Sequence, residues 1–243
     1  MTISTVKPYW LPEVAAASAI AGVFTDPTTL GVAPRVKLPT KFTINDNLIE
    51  LPAEPEAAKA LTVKRGPNIK PIPKGKAPDE TLSTKLILKV GDNITTDHIM
   101  PAGAKILPYR SNVPKLSEFC FTVCDKDFPE RAKAKGGGII LGGQNYGQGS
   151  SREHAALVPL YLKIRGVLAK GFARIHQANL INNGILPLVF VNEADYDRFD
   201  QQDTIALPGI RKLVESGATQ IPVENKTKGF TAMMKLELTD RQR

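Results

Sequence analysis

Cysteine is nearly missing from this chain, which holds only Cys120 and Cys124 among its 243 residues. Two thiols exclude the disulfide framework of a small secreted scaffold and point to a reducing compartment. The cytoplasm is therefore the expected location. Two thiols are also too few for a cubane iron–sulfur site, which needs three or four. No apolar run approaches the roughly 20 residues of a membrane-spanning helix. Met1–Gly22 does not read as a secretory signal either, because Lys7, Pro8, Pro12 and Glu13 interrupt it. Aromatic residues are absent from the basic stretch that holds Lys64, Arg65, Lys70, Lys74 and Lys76. It lacks the stacking surface of a nucleic-acid groove and reads as a solvated linker.

What is present has the composition of a globular protein, 42% hydrophobic and 23% charged. The formal charge of +8 suits an anionic partner, a polycarboxylate or a nucleic acid, and does not choose between them. Glu13–Ala21 is a small-residue helical run closed by Gly22, and Pro27 follows as a turn or a new helix start. Prolines recur through Pro67–Pro78, each fixing φ and removing a donor, so that stretch should be extended. A short strand is expected at Lys41–Ile44. From residue 85 onward strands and helices alternate. Lys85–Val90, Phe119–Cys124, Gly166–Ala169, Ile185–Val191, Thr204–Leu207 and Gly229–Leu238 read as strands, and Phe172–Asn182 as a helix. Asn192 is the expected cap of a helix running to Phe199. In the Phe119–Cys124 strand the two thiols would share one face as core filler.

The densest chemistry lies at Asn145–His154. Before it, Gly136–Gly143 reads as a buried strand between glycines. After it, Leu157, Leu160, Tyr161 and Ile164 recur at helical spacing, with Pro159 expected to force an irregular turn. Ser150 or Ser151 stands where a helix N-cap belongs. Gly147 and Gly149 allow close backbone approach. The helix start and the Arg152 guanidinium together favour an anion, and a carboxylate fits best. Asp97 and His98, in the loop after Lys85–Val90, read equally as turn and capping groups or as site residues. His176 reads as a helix-face or interdomain hydrogen-bonding group rather than a ligand.

Three blocks carry a family resemblance: Tyr146-Gly-Gln-Gly-Ser-Ser-Arg-Glu-His-Ala155, Phe172-Ala-Arg-Ile-His-Gln-Ala-Asn-Leu-Ile-Asn-Asn-Gly-Ile-Leu-Pro-Leu188, and Gly91-Asp-Asn-Ile-Thr-Thr-Asp-His-Ile-Met-Pro-Ala-Gly103. In this order they resemble the last domain of the aconitase and isopropylmalate dehydratase family. The resemblance implies an α/β fold of the swivelling β/β/α type, with an extended N-terminal arm. It divides the chain into 1–31, resembling the end of the upstream catalytic portion, a proline-rich linker at 32–84, and the swivel domain at 85–243. It implies hydro-lyase chemistry on a tricarboxylate, with Ser150 as the base and Arg110, Ser151, Arg152 and Asp97 binding substrate. A 4Fe–4S cluster would belong to the complete enzyme, its ligands on a partner portion and none in this chain, which alone would be inactive. Met100 stands where many aconitases have Ser. The small subunit of isopropylmalate dehydratase or homoaconitase is the nearest alternative, and an RNA-binding homologue a remote one; no membrane contact is expected.

Overall fold

The structure is a computed structural model that describes residues 12–32 and 35–243. The interrupting Lys7 and Pro8 of the signal-peptide reading lie outside the described residues. Among the described residues no helix is long and apolar enough to cross a membrane. The chain divides into two compact units, Met1–Thr62 and Val63–Arg243.

In the first unit the alanine-rich run forms α1 (Pro12–Ala21), with Glu13 in its first turn, where a carboxylate complements the helix dipole. A 3-10 turn at Pro27–Leu30 follows, capped by Asp26, whose Oδ1 accepts from Thr28 N at 3.0 Å. The only other helix described in this unit is α2 (Pro55–Ala60). The strand expected at Lys41–Ile44 does not form. A strand needs a neighbour to satisfy its ladder, and the described part of this unit offers none. Phe42 and Ile44 stay exposed.

The second unit is a seven-stranded closed barrel. Its strands are β1 (Leu82–Lys89), β2 (Gly138–Gly142), β3 (Ile164–Ala169), β4 (Leu186–Phe190), β5 (Thr204–Leu207), β6 (Gln220–Asn225) and β7 (Phe230–Lys235). The order around it is β1-β2-β3-β4-β7-β6-β5. The first four are parallel, pairing Leu88 with Ile140, Ile140 with Val167, and Val167 with Pro187. The other pairings are antiparallel, through Phe190–Met234, Val223–Ala232, Ile205–Asn225 and Thr84–Ile205. The mixed sheet agrees with the expected α/β class; its closure was not among the expectations. Closure depends on β1, whose residues 82–85 pair with β5 while Leu86, Leu88 and Lys89 pair with β2. The strand β6 is likewise not among those the sequence predicts.

Side chains alternate across the sheet and feed two cores. Leu86, Ile139, Leu141, Leu188, Ile205 and Val223 belong to one. Ile87, Ile140, Val167, Phe121, Leu160 and Leu180 belong to the other, shared with the helices. Every residue of β2 is buried, which is why its sequence is a continuous apolar run. The helices of this unit are α3 (Thr96–Ile99), α4 (Val113–Leu116), α5 (Phe128–Lys135), α6 (His154–Tyr161), α7 (Arg174–Asn182) and α8 (Ile210–Glu215).

Three local expectations are corrected. Phe119–Cys124 is not a strand: a 3-10 turn at Ser117–Phe119 runs into further turns, with Phe121 at φ +56°. Phe121 plugs the core, its ring 4.9 Å from Phe128 and its N–H donating to Ile99 O at 2.9 Å. Cys120 is buried and Cys124 exposed, so the thiols share no face. Pro159 does not break its helix; α6 continues to Tyr161, and the irregular turn comes at Lys163, φ +60°. The helix expected after Asn192 is a 3-10 helix, Glu193–Arg198, although Asn192 does cap it. The proline-rich stretch has no helix or strand, as its spacing predicts, but it is held against this unit. Lys70 N donates to Ser111 O at 2.9 Å, and Arg211 Nε to Pro78 O at 2.8 Å.

Candidate functional site

Loops leaving the carboxyl ends of β1, β2 and β3 meet on one side of the barrel, the usual place for a ligand at adjacent parallel strands. The middle loop, 143–153, is pinned on both flanks by main-chain bonds. Toward the β1 loop, Asn93 N donates to Gln144 O at 2.8 Å, Gly147 N to Ile94 O at 2.7 Å, and Thr96 N to Gln148 O at 2.8 Å. Toward the β3 loop, Tyr146 N donates to Gly171 O and Ala173 N to Tyr146 O, both at 2.9 Å. Such close packing needs glycine at 147. Its φ is +84°, and a Cβ there would fall 2.1 Å from His176 Cδ2.

The serines do not cap the following helix. The helix α6 starts at His154 with Glu153 in the cap position, and no side chain bonds its first turn. Ser150 and Ser151 lie further upstream, exposed, with Ser150 O accepting from Arg152 N at 2.7 Å. The main chain ahead of α6 is not helical, with Gly149 at φ +113°, and the Arg152 side chain turns toward α3. Its Nη2 lies 2.7 Å from Asp97 Oδ1 and 3.3 Å from Thr96 Oγ1, and its Nη1 donates to Met100 O at 3.0 Å. Arg152 is thereby lashed to α3 and to Met100 at its end.

That contact also separates the roles of Asp97 and His98. His98 is a capping group: Thr95 Oγ1 accepts from His98 N, and His98 Nδ1 accepts from Thr95 N, each at 3.1 Å. Asp97 instead faces Arg152, with its side chain 67% exposed against 18% for the arginine. Met100 offers the arginine its main-chain carbonyl, a contact indifferent to the side chain, which is buried.

Three of the five sequence-predicted residues, Ser150, Arg110 and Arg152, line two recesses, and Asp97 lines neither. A cavity of about 220 Å³ is lined by Ser150, Thr96, Gly147, Gly149, Asn179 and His176, among others. A smaller one of about 30 Å³ is lined by Arg110, Arg152, His154 and Met100, with apolar neighbours. His154 Nε2 lies 2.9 Å from Arg110 O and so ties the Arg110 loop to the head of α6. Thr96 borders the first cavity and contacts Arg152 at the second. Ser151 lines neither.

His176 is the residue that sequence reasoning undervalued. It is 2% exposed, and neither ring nitrogen has a hydrogen-bond partner among the described residues. Burial pushes its pKa down from 6.5 to about 4. His176 and Leu180 are the buried residues of α7 and lie one turn apart, so helical spacing does point the imidazole inward. That spacing says nothing of the cavity it reaches.

The residues here do not fit an iron–sulfur cluster. Among the described residues no three His, Cys, Asp or Glu come together as a metal site. Burial pushes the thiol pKa of Cys120 well above its ordinary value and that of Cys124 upward, the reverse of what thiolate ligation needs.

Residues 92–193 match the family model of the aconitase C-terminal domain. The probable mitochondrial aconitate hydratase of Caenorhabditis elegans is 36% identical over 177 residues, 64% of this chain and 22% of that protein. An aconitase–ribosomal protein bL21m fusion protein of Schizosaccharomyces pombe is 38% identical over 159 residues, 56% of this chain and 17% of that protein. The chain thus spans about a fifth of the length of the curated relatives it matches. Among solved structures, 3-isopropylmalate dehydratase of Methanocaldococcus jannaschii superposes with a TM-score of 0.55 at 27% identity, covering 67% of this chain and 86% of that one. The cytoplasmic expectation is overturned, because the aconitate hydratases matched in C. elegans, Dictyostelium discoideum, Gracilaria gracilis and Saccharomyces cerevisiae are mitochondrial. Unpaired cysteines report a reducing space and do not distinguish one such compartment from another.

Proposed function

We propose, for a chain that carries an aconitase C-terminal domain, that it supplies the base and the carboxylate-binding groups of an aconitate hydratase that interconverts citrate and isocitrate. On this reading residues 1–31 are the end of the upstream catalytic portion and 32–84 the link to the swivel domain at 85–243. The cluster-bearing portion is the partner, covalently joined or separate.

The observation that carries the reading is the juxtaposition of Ser150 with Arg152 on one pinned loop. Removing a weakly acidic C–H proton beside a carboxylate needs a strong base, and a serine hydroxyl becomes one only where its anion is stabilised. Ser150 stands exposed at a cavity, on the loop that leads into α6 and two positions ahead of an arginine. Arg152 commits three of its five N–H donors to Asp97, Thr96 and Met100. Of the other two the Nε–H is buried, which leaves one Nη1 N–H for a substrate carboxylate, and Asp97 holds the planar fork in one orientation. Arg110 has no side-chain partner among the described residues and completes the cationic edge of the second recess. Ser151, exposed beside Ser150, is left to contact the substrate. The departure of hydroxide falls to groups outside this chain.

Assembled with its cluster-bearing portion, Ser150→Ala should lower turnover by about 10²–10⁴ with little change in substrate affinity. Isotope exchange at the abstracted proton is the direct readout; near-normal exchange in Ser150→Ala would remove serine from the mechanism. A second reading, a small subunit of isopropylmalate dehydratase or homoaconitase, is favoured by the superposition covering 86% of the archaeal dehydratase chain. Turnover of isopropylmalate or homocitrate in preference to citrate by the assembled enzyme would select it.

A further inference from the structure

The wall of the Ser150 cavity contains a group that the chemistry above leaves idle. His176 is packed as a core residue, with the Tyr146 ring 5.5 Å away and the Gly147 backbone pressed on its edge. An apolar ring would fill that space equally well. Burying an imidazole there with both nitrogens unpaired costs about 1–3 kcal/mol for each polar atom. The space beside it from which a partner can come is the cavity of about 220 Å³ that His176 lines with Thr96, Asn179 and Ser150. The space exceeds what one water needs, and its polar lining supplies the partners a bound water requires.

We propose that His176 is a positioning residue for Ser150. It donates one hydrogen bond and accepts another within this cavity, directly or through one water, and so fixes the direction of the serine hydroxyl. This inference rests on the reading of Ser150 as the base. A neutral imidazole has one donor and one acceptor, the pair needed to hold a hydroxyl in a single rotamer. With a pKa held near 4 by burial, it is too weak a base to take the proton that Ser150 removes. It therefore orients the serine without discharging it. Thr96 extends the arrangement. Its Oγ1 sits 3.3 Å from Arg152 Nη2, and its N–H holds Gln148 O. The base and the carboxylate-binding arginine are thus indexed to one another through the wall that His176 completes.

The test has two arms. In the first, two-bond 1H–15N correlation spectra of the full chain read the His176 ring nitrogens. They should show one neutral tautomer at pH 7, and Ser150→Ala and Thr96→Val should each displace its resonances. Resonances unmoved by both variants would overturn the proposal. In the second, His176→Phe in the assembled enzyme should lower kcat about tenfold or more with KM nearly unchanged. His176→Gln, which keeps a donor and an acceptor, should recover part of the loss. A folded His176→Phe enzyme with wild-type kcat would also overturn it; if that variant does not fold, the spectral arm on the native residue decides. The two readings fail separately. Retained isotope exchange in Ser150→Ala removes the base assignment, whereas lost exchange with wild-type turnover in His176→Phe removes only the positioning role.

Discussion

Lowering the pH from 7 to 5 should destabilise this fold chiefly through His176. Its pKa is about 4 in the folded chain, because burial penalises the charged ring, against 6.5 for the ordinary side chain. Above pH 6.5 both states hold a neutral ring and the stabilising preference is fully present. As the pH falls through 6.5 the unfolded chain takes up a proton that the folded chain refuses, so stability falls with pH. Each further unit costs about 1.4 kcal/mol. The loss should reach about 2 kcal/mol at pH 5 and about 3 kcal/mol near pH 4. Ion pairs contribute little in this window. Burial raises the pKa of Asp125, but its bonds to Arg131 and to main-chain N–H groups outweigh that and hold it below 3.8, so its contribution is lost only at lower pH. Urea unfolding of the wild type, His176→Phe and His176→Gln at pH 7 and pH 5 is the assay. The wild type should lose about 2 kcal/mol more than either variant. Parallel losses in all three proteins would refute the buried neutral histidine.

Gly147→Ala combines a positive φ with overlap against His176 and should cost about 2–4 kcal/mol, read by thermal unfolding; a loss below about 0.5 kcal/mol would show that the loop relaxes freely. Arg152→Lys in the assembled enzyme should raise KM more than it lowers kcat, because a point ammonium cannot keep Asp97, Met100 O and a substrate carboxylate in one plane; an unchanged KM would take Arg152 out of substrate binding. Limited proteolysis should cut first within residues 35–62 and spare Lys70–Pro78, which is bonded to Ser111 and Arg211; early cuts at 70–78 would show that this attachment is not maintained.

Much of this architecture is written in local pattern. The run Gly138–Gly142 announces a strand buried on both faces, and the Asn145–His154 string announces its loop. What the pattern hides is set at long range. Closure of the barrel depends on β1 dividing its length between β5 and β2, and no window of sequence contains both partners. Phe119, Phe121 and Cys120 mimic strand alternation, yet Phe121 is a plug whose placement is decided by Ile99 and Phe128. The serine pair looks like a cap because capping propensity is local, whereas the main chain ahead of α6, with Gly149 at φ +113°, is not yet helical. His176 is legible as an inward-facing residue, but its cavity is made by Thr96, which lies about eighty positions away.

The loop that carries Ser150 is held on both flanks by peptide groups, through the amides of Asn93, Thr96, Tyr146, Gly147 and Ala173. A frame of that kind is indifferent to most side chains it bears. Gln148 lends the frame its main-chain carbonyl, while its exposed side chain accepts only from Asn145 on the same loop. Replacements there would change what an incoming molecule meets while leaving the serine where it stands. Selectivity among related hydroxy-acids can therefore drift, or be engineered, on this loop without rebuilding the catalytic position.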